Sequence, residues 1–207
     1  NRRGYRSVAF VGTSAKNELL WSEKYEATFR QIAYRRTHFI GSFNVSQGNS
    51  FETELRKLAH WVETLPKPCG IMAYSDELAR VLLDACHIAK INVPESVAII
   101  GMDNDISICE SCRPTITSVL PDFELSGFYA AMLLDQAISG RKNSSFRKTY
   151  GMKQFVERTS TIDPRGTGRI ISAARETIGK FGLKKDFTIA TLARHLNVSP
   201  RILQLSF

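Results

Sequence analysis

Acidic side chains follow two apolar segments of this 207-residue chain. Asp76 comes after the first segment, and Asp103, Asn104 and Asp105 come directly after the second. A carboxylate can accept hydrogen bonds from two neighbouring hydroxyl groups, and an amide both donates and accepts, so the set suits a polyhydroxyl ligand. Asp76 would serve as well as a helix N-cap, and residues 103–105 as an ordinary polar turn. The residues alone favour these simpler roles.

The elements that must position these side chains alternate between strand-like and helix-like patterns. Short apolar segments typical of buried strands occur at residues 6–12, 37–43, 70–74, 97–102, 115–119 and 150–156. Helical spacing of apolar residues fills most of the intervals, at residues 18–34, 49–65, 75–90 and 123–139. This alternation predicts an α/β fold, a parallel sheet with helices on both faces. Ligands bind such sheets outside the carboxyl ends of the strands, where Asp76 and residues 103–105 would lie.

Helix boundaries are also visible in the pattern. We predict that Asn49 caps the second helix, that Glu52 reaches back to it, and that Pro66 ends the helix. Ser75 or Asp76 caps the third.

Neither the cysteines nor the histidines form a pattern typical of catalysis. Cys109 and Cys112 make a Cys-x-x-Cys pair, but Cys69 and Cys86 do not complete a zinc site, so buried or loop thiols in a reducing compartment are favoured over a redox pair. The four histidines lie on unrelated segments: His38, His60, His87 and His195. We therefore expect no enzyme activity, no cofactor and no metal. Without a long apolar stretch or an export signal, we expect a cytoplasmic protein that does not enter a membrane.

Positive charge is concentrated near the C-terminus. The net charge is +8, and residues 164–207 hold eight basic and only two acidic residues. Residues 159–168 are rich in turn formers, and the pattern beyond them is helical. Thr188 can cap a short helix, and Ser199 with Pro200 can begin another, which indicates a helix-turn-helix. This favours a polyanion as partner, although a solvated basic surface would have the same composition.

Several motifs together resemble a known family. The stretch from Val93-Pro-Glu-Ser-Val97 to Gly101-Met-Asp103, then Pro114–Val119 and Val156–Ser160, is similar to the lac-repressor family. The triplet at 103–105 and Trp21-Ser22 more specifically resemble xylose-operon regulators, which join a sugar-binding domain to an AraC-type helix-turn-helix. Residues 188–207 are similar to the start of that helix-turn-helix.

The resemblance implies a sugar-responsive, DNA-binding transcription regulator that controls the use of xylose or a related aldose and acts as a homodimer. It divides the chain into a sugar-binding domain (1–158), a linker (159–168) and the first half of a DNA-binding domain (169–207). It places sugar contacts at Asp76, Asp103, Asn104, Trp21 and Tyr25, although Trp21 could equally cover the core. It places DNA contacts at Arg194, Ser199, Arg201, Gln204 and Leu205, although Arg201 could equally contact phosphate alone. The alternative is a sugar-binding protein of a transport system, which shares the fold.

The chain departs from the family at two positions. Tyr25 stands where the family often has an arginine that reaches the ligand, and Leu205 stands where an arginine is common, so neither the sugar nor the base preference carries over. The resemblance also implies that a whole lobe precedes this chain and that a second helix-turn-helix follows it. The helix at residues 123–139 would belong on that lobe, and we expect it to be frayed or misdocked without it.

Overall fold

A computed structural model of the chain describes residues 5–46, 48–140, 148–162, 171, 173–179, 187–196, 198–200 and 203. The strands are β1 (Ser7–Thr13), β2 (His38–Val45), β3 (Cys69–Ala73), β4 (Val97–Met102), β5 (Thr117–Pro121) and β6 (Met152–Val156). The helices are α1 (Leu19–Arg36), α2 (Phe51–Thr64), α3 (Asp76–Ile88), α4 (Ile106–Ser111), α5 (Phe123–Ile138), α6 (residues 173–179) and α7 (Ile189–His195). The predicted strand–helix alternation is confirmed.

All six strands form one sheet in the order β2-β1-β3-β4-β5-β6. The first four pairings are parallel, and β5 pairs with β6 antiparallel. After β1 the chain adds β2 on one side and then crosses to add β3 on the other. The order of strands therefore reverses between β1 and β3, and a crevice opens there at the carboxyl ends.

Helices cover both faces of the sheet, as the sequence predicts. Along β1, Ala9 and Val11 belong to a core that includes Leu58 of α2 and Leu82 of α3. Phe10 lies between them in sequence and faces the other way, with its ring 5.9 Å from that of Phe29 on α1. Successive strand residues alternate between faces, so α2 and α3 lie on one side of the sheet and α1 lies on the other.

Two local features differ from the sequence expectations. The N-cap of α2 is Ser50, whose side chain accepts from the Thr53 N–H, and not Asn49. The Asn49 amide instead donates to Glu54, 2.6 Å away. The short helix α4 was not predicted. Asp105 caps it by accepting from the backbone N–H groups of Ser107 and Ile108.

Helix α5 is fully formed, although none of its residues is buried. Asp122 caps it by accepting from the Leu125 N–H at 3.0 Å. The helix is therefore formed and not frayed, while the expectation that its apolar face lacks packing partners agrees with the absence of buried residues in it. Its apolar side chains are open to solvent, and Phe128 is 64% exposed.

The C-terminal helices form a small cluster of their own. Ala174 on α6 and Leu192 on α7 are buried with Leu203. Thr188 caps α7 as predicted, by accepting from the Thr191 N–H. Pro200 and Leu203 are helical, and the Leu203 N–H donates to the Ser199 carbonyl at 3.2 Å. Of the helices described along the chain, none has the length and apolar character needed to cross a membrane.

Candidate functional site

The candidate site lies at the carboxyl edge of the sheet, where the strand order reverses. Helix α1 begins beyond the end of β1, and Tyr74 follows β3 directly. Position 12 is a glycine because a Cβ there would collide with Ser22 Oγ of α1 and Asn44 Oδ1 of β2. The Ser22 hydroxyl accepts from the Thr13 N–H at 3.0 Å, which fixes the start of α1 against β1.

Two tyrosines pack together at this crevice, and the charge of a nearby carboxylate acts on both. The rings of Tyr25 and Tyr74 are 5.6 Å apart between centroids and tilted by 38°. Burial raises the pKa of both tyrosines, and the negative charge of Asp103 raises both further. Tyr150 also raises the pKa of Tyr25, so it too lies near the cluster. The sequence predicted Tyr25 and Asp103 but missed Tyr74 and Tyr150.

Asp103 and Asn104 form a tight turn at the end of β4. Their φ angles are +98° and +55°, the left-handed region that aspartate and asparagine enter more readily than most residues. Among the residues that the structure describes, none donates a hydrogen bond to the Asp103 carboxylate. Asp103 is accessible, but nearby protein atoms remove enough water to raise its pKa, and Asp76 and Asp105 raise it further. The turn therefore presents a charged acceptor that has no hydrogen-bond donor in the described part of the chain.

Asp76 was predicted as a sugar contact, but its carboxylate is buried and hydrogen-bonded within the protein. It is 2% exposed and accepts from Ser118 Oγ at 2.6 Å and from the Asp105 N–H at 2.7 Å. Burial raises its pKa, and these two hydrogen bonds oppose that rise. Ser75 is the N-cap of α3. Through these two hydrogen bonds, Asp76 connects the start of α3 to the turn after β4 and to β5.

Asn104 is held by a buried arginine. Arg158 is 3% exposed and donates from Nη2 to Asn104 Oδ1 at 2.9 Å. Its other nitrogens donate to Glu110 Oε1 at 2.6 Å and to the Ile116 carbonyl at 3.0 Å. The Asn104 N–H donates to Ser118 Oγ. Thus the amide oxygen of Asn104 is occupied, and its NH₂ group is the part that can donate to a ligand.

The remaining predicted site residues lie in two places. Trp21 is one helical turn before Tyr25, 55% exposed, with Lys24 Nζ 4.9 Å from the centre of its ring. Arg194 and Ser199 are both exposed in the C-terminal segment. Arg201, Gln204 and Leu205 lie outside the described residues.

The four cysteines are shielded from solvent. Cys109 lies inside α4 and is buried, as are the other three, and all four are free. Burial and the neighbouring Asp76 carboxylate raise the pKa of Cys109 to about 12. The favoured interpretation of buried thiols is confirmed.

The fold and the matched sequence define the class of protein. Residues 1–161 match the family model described as a periplasmic binding protein-like domain, and the chain belongs to this family.

Regulators of xylose operons are among its relatives. The chain is 31% identical over 144 residues to the xylose operon regulatory protein of Haemophilus influenzae, covering 69% of this chain and 37% of that protein. It is 29% identical over 163 residues to the xylose operon regulatory protein of Escherichia coli K12, and this match covers 77% of this chain and 41% of that protein. The chain therefore spans about two fifths of the length of these relatives.

A solved structure has the same fold over nearly the whole chain. The structure is that of a xylose-binding transcription activator. The alignment covers 96% of this chain and 52% of the activator chain, with a TM-score of 0.68 and 23% sequence identity.

Proposed function

We propose that this chain is the ligand-binding lobe, followed by the first DNA-binding helices, of a sugar-responsive transcription regulator without enzymatic activity. The observation that carries the proposal is the packing of Tyr25 against Tyr74 at the reversal point of the sheet, within the electrostatic reach of Asp103. The relatives are named as regulators of xylose operons, which favours xylose or a related aldose as the effector.

The chemistry of the crevice suits an uncharged sugar. The aromatic planes of Tyr25 and Tyr74 can lie against the weakly apolar face of a sugar ring, and their hydroxyl groups can donate or accept. Asp103 can accept from two adjacent sugar hydroxyls, and Asn104 can donate through its NH₂ group. Trp21 extends the aromatic surface along α1. Asp76 is buried and accepts a hydrogen bond from the Asp105 N–H, so it contributes to binding by holding the turn that carries Asp103 and Asn104.

The C-terminal segment supplies the proposed DNA contacts. Ala174, Leu192 and Leu203 are buried together, and Arg194 and Ser199 are exposed on the same segment. Arg194 would contact phosphate, and Arg201, Gln204 and Leu205 would face the major groove. We further propose that the protein acts as a homodimer, because paired half-sites on DNA match a two-fold symmetric protein.

Calorimetric titration with D-xylose, L-arabinose and D-glucose tests the sugar site, using protein expressed from its complete reading frame. Asp103→Asn keeps the size and the backbone preference of the residue but removes the charge. Hydrogen bonds to charged groups contribute about 1.5–3 kcal/mol, so the variant should bind roughly ten- to a hundredfold more weakly. Asp135→Asn, an exposed change on α5, is the matched control. Equal affinities of Asp103→Asn and the wild type would contradict the assignment.

DNA binding separates a regulator from a transport protein of the same fold. We expect duplex DNA from the promoter upstream of the gene to bind, with an affinity that falls steeply as salt rises and that changes when sugar is added. Arg194→Ala should weaken binding, whereas Arg56→Ala on α2 should not. A protein that binds sugar but no DNA at low salt would favour the transport alternative.

A further inference from the structure

Arg158 is a buried cation whose partners come from separate parts of the lobe. It lies just after β6, and its guanidinium joins the Asn104 turn, Glu110 of α4 and the Ile116 carbonyl ahead of β5. A guanidinium presents its N–H groups in a rigid planar fork, so three simultaneous partners fix their mutual directions. A lysine would keep the charge but not this geometry.

The contact with Asn104 determines which end of its amide is available. Arginine can only donate, so the atom that faces Nη2 must be the oxygen of the Asn104 amide. The Asn104 N–H is separately held by Ser118 Oγ at 3.0 Å, and the next N–H, of Asp105, is held by Asp76. Arg158 therefore sets the direction of the Asn104 side chain, and by anchoring that side chain it supports the turn whose N–H groups bond to Ser118 and Asp76.

We propose that Arg158 is a positioning residue for sugar binding, which orients Asn104 so that its NH₂ group faces the ligand beside Asp103. The proposal rests on the proposed sugar-binding function. Arg158 acts through Asn104 and does not touch the sugar.

The test compares Arg158→Lys with Glu54→Gln in calorimetric titrations with D-xylose, L-arabinose and D-glucose. Glu54 is likewise buried and holds Ser46, Asn49 and Lys57, but it lies at the start of α2, away from the turn. We expect Arg158→Lys to weaken the binding of the sugar by about tenfold or more, and Glu54→Gln to leave it within about twofold. In an Asn104→Ala background, Arg158→Lys should cause no further loss, because its effect passes through the missing amide.

Hydrogen exchange in the absence of sugar gives a second measurement. Arg158→Lys should speed exchange of the Asn104 and Asp105 amides, and Glu54→Gln should not. If Arg158→Lys does not fold, Glu110→Ala removes one partner of the guanidinium and is the milder variant. Unchanged affinity together with unchanged exchange would overturn the proposal, as would an equal loss of affinity with and without Asn104. If the wild type binds none of the sugars, the proposed function fails, and the exchange rates alone decide whether Arg158 positions the turn.

Discussion

The packing of Gly101 against Asp76 predicts that one added methyl group in β4 will release the buried carboxylate. A Cβ at position 101 would collide with Asp76 Oδ1 and lie 3.2 Å from the Asp76 Cα. The carboxylate would have to rotate and lose its hydrogen bonds from Ser118 Oγ and the Asp105 N–H. Each buried donor left without an acceptor costs about 1–3 kcal/mol, so Gly101→Ala should lower the free energy of unfolding by about 2–6 kcal/mol.

Urea unfolding of the purified protein measures this change. Gly127→Ala on α5 is the matched control, since a Cβ there meets nothing within 4 Å and alanine favours a helix over glycine by about 0.5–1 kcal/mol. This control should be neutral or slightly stabilising. In an Asp76→Ala background, Gly101→Ala should cost much less, because the carboxylate is gone and only the 3.2 Å approach to the Cα of residue 76 remains. A stability of Gly101→Ala within about 0.5 kcal/mol of the wild type, or the same loss in both backgrounds, would refute the reasoning.

Three further predictions concern protonation and thiol access. Sugar affinity should fall as the pH is lowered through the raised pKa of Asp103, because protonation removes the charged acceptor, and calorimetry that shows a flat affinity from about pH 7 to pH 4 would contradict it. The backbone N–H of Ser46 and the ammonium group of Lys57 lower the pKa of Glu54, so its stabilisation is complete above the ordinary pKa and lost as the pH falls through the lowered one. Urea unfolding should therefore show a loss of stability for Glu54→Gln at neutral pH that shrinks in acid; a difference independent of pH would argue against this role. A thiol reagent should react with the folded protein far more slowly than with denatured protein, since all four cysteines are buried and burial raises the pKa of Cys86 and Cys109 to about 12; one fast thiol in the folded state would disprove this.

The strands and long helices could be predicted from the sequence because each has a strong local pattern. Uninterrupted apolar segments such as Val97–Met102 are typical of strands buried on both faces, and the crossing helices have regular apolar spacing. Helix α4 escaped prediction because its six residues are too few to show a period. The start of α5 also has a local signal in the sequence, since Asp122 directly precedes Phe123 and caps the helix.

The candidate site was predictable only in part. The rule that ligands bind beyond the carboxyl ends of strands led to Asp103, and the same rule would have led to Tyr74, which follows β3. The hydrogen bonds from Ser118 to Asp76 and from Arg158 to Asn104 join residues 42 and 54 positions apart. No local pattern carries such pairings. A single arginine after a strand is typical of a surface residue, so the buried role of Arg158 needed the structure.

The antiparallel pairing of β5 with β6 has a consequence for how this lobe can change. Pro121 and Met152 are register partners, and the Asp122 N–H donates to the Gly151 carbonyl at 3.0 Å. The chain thus leaves the sheet at the end of β5 and re-enters it at the start of β6, beside the same point. Helix α5 lies in the segment that connects these two strands. A hairpin can close with about two to five residues, so a short turn could replace residues 123–150 without breaking a strand pair. We therefore expect that α5 can be exchanged for another segment while the order of the strands in the sheet stays the same.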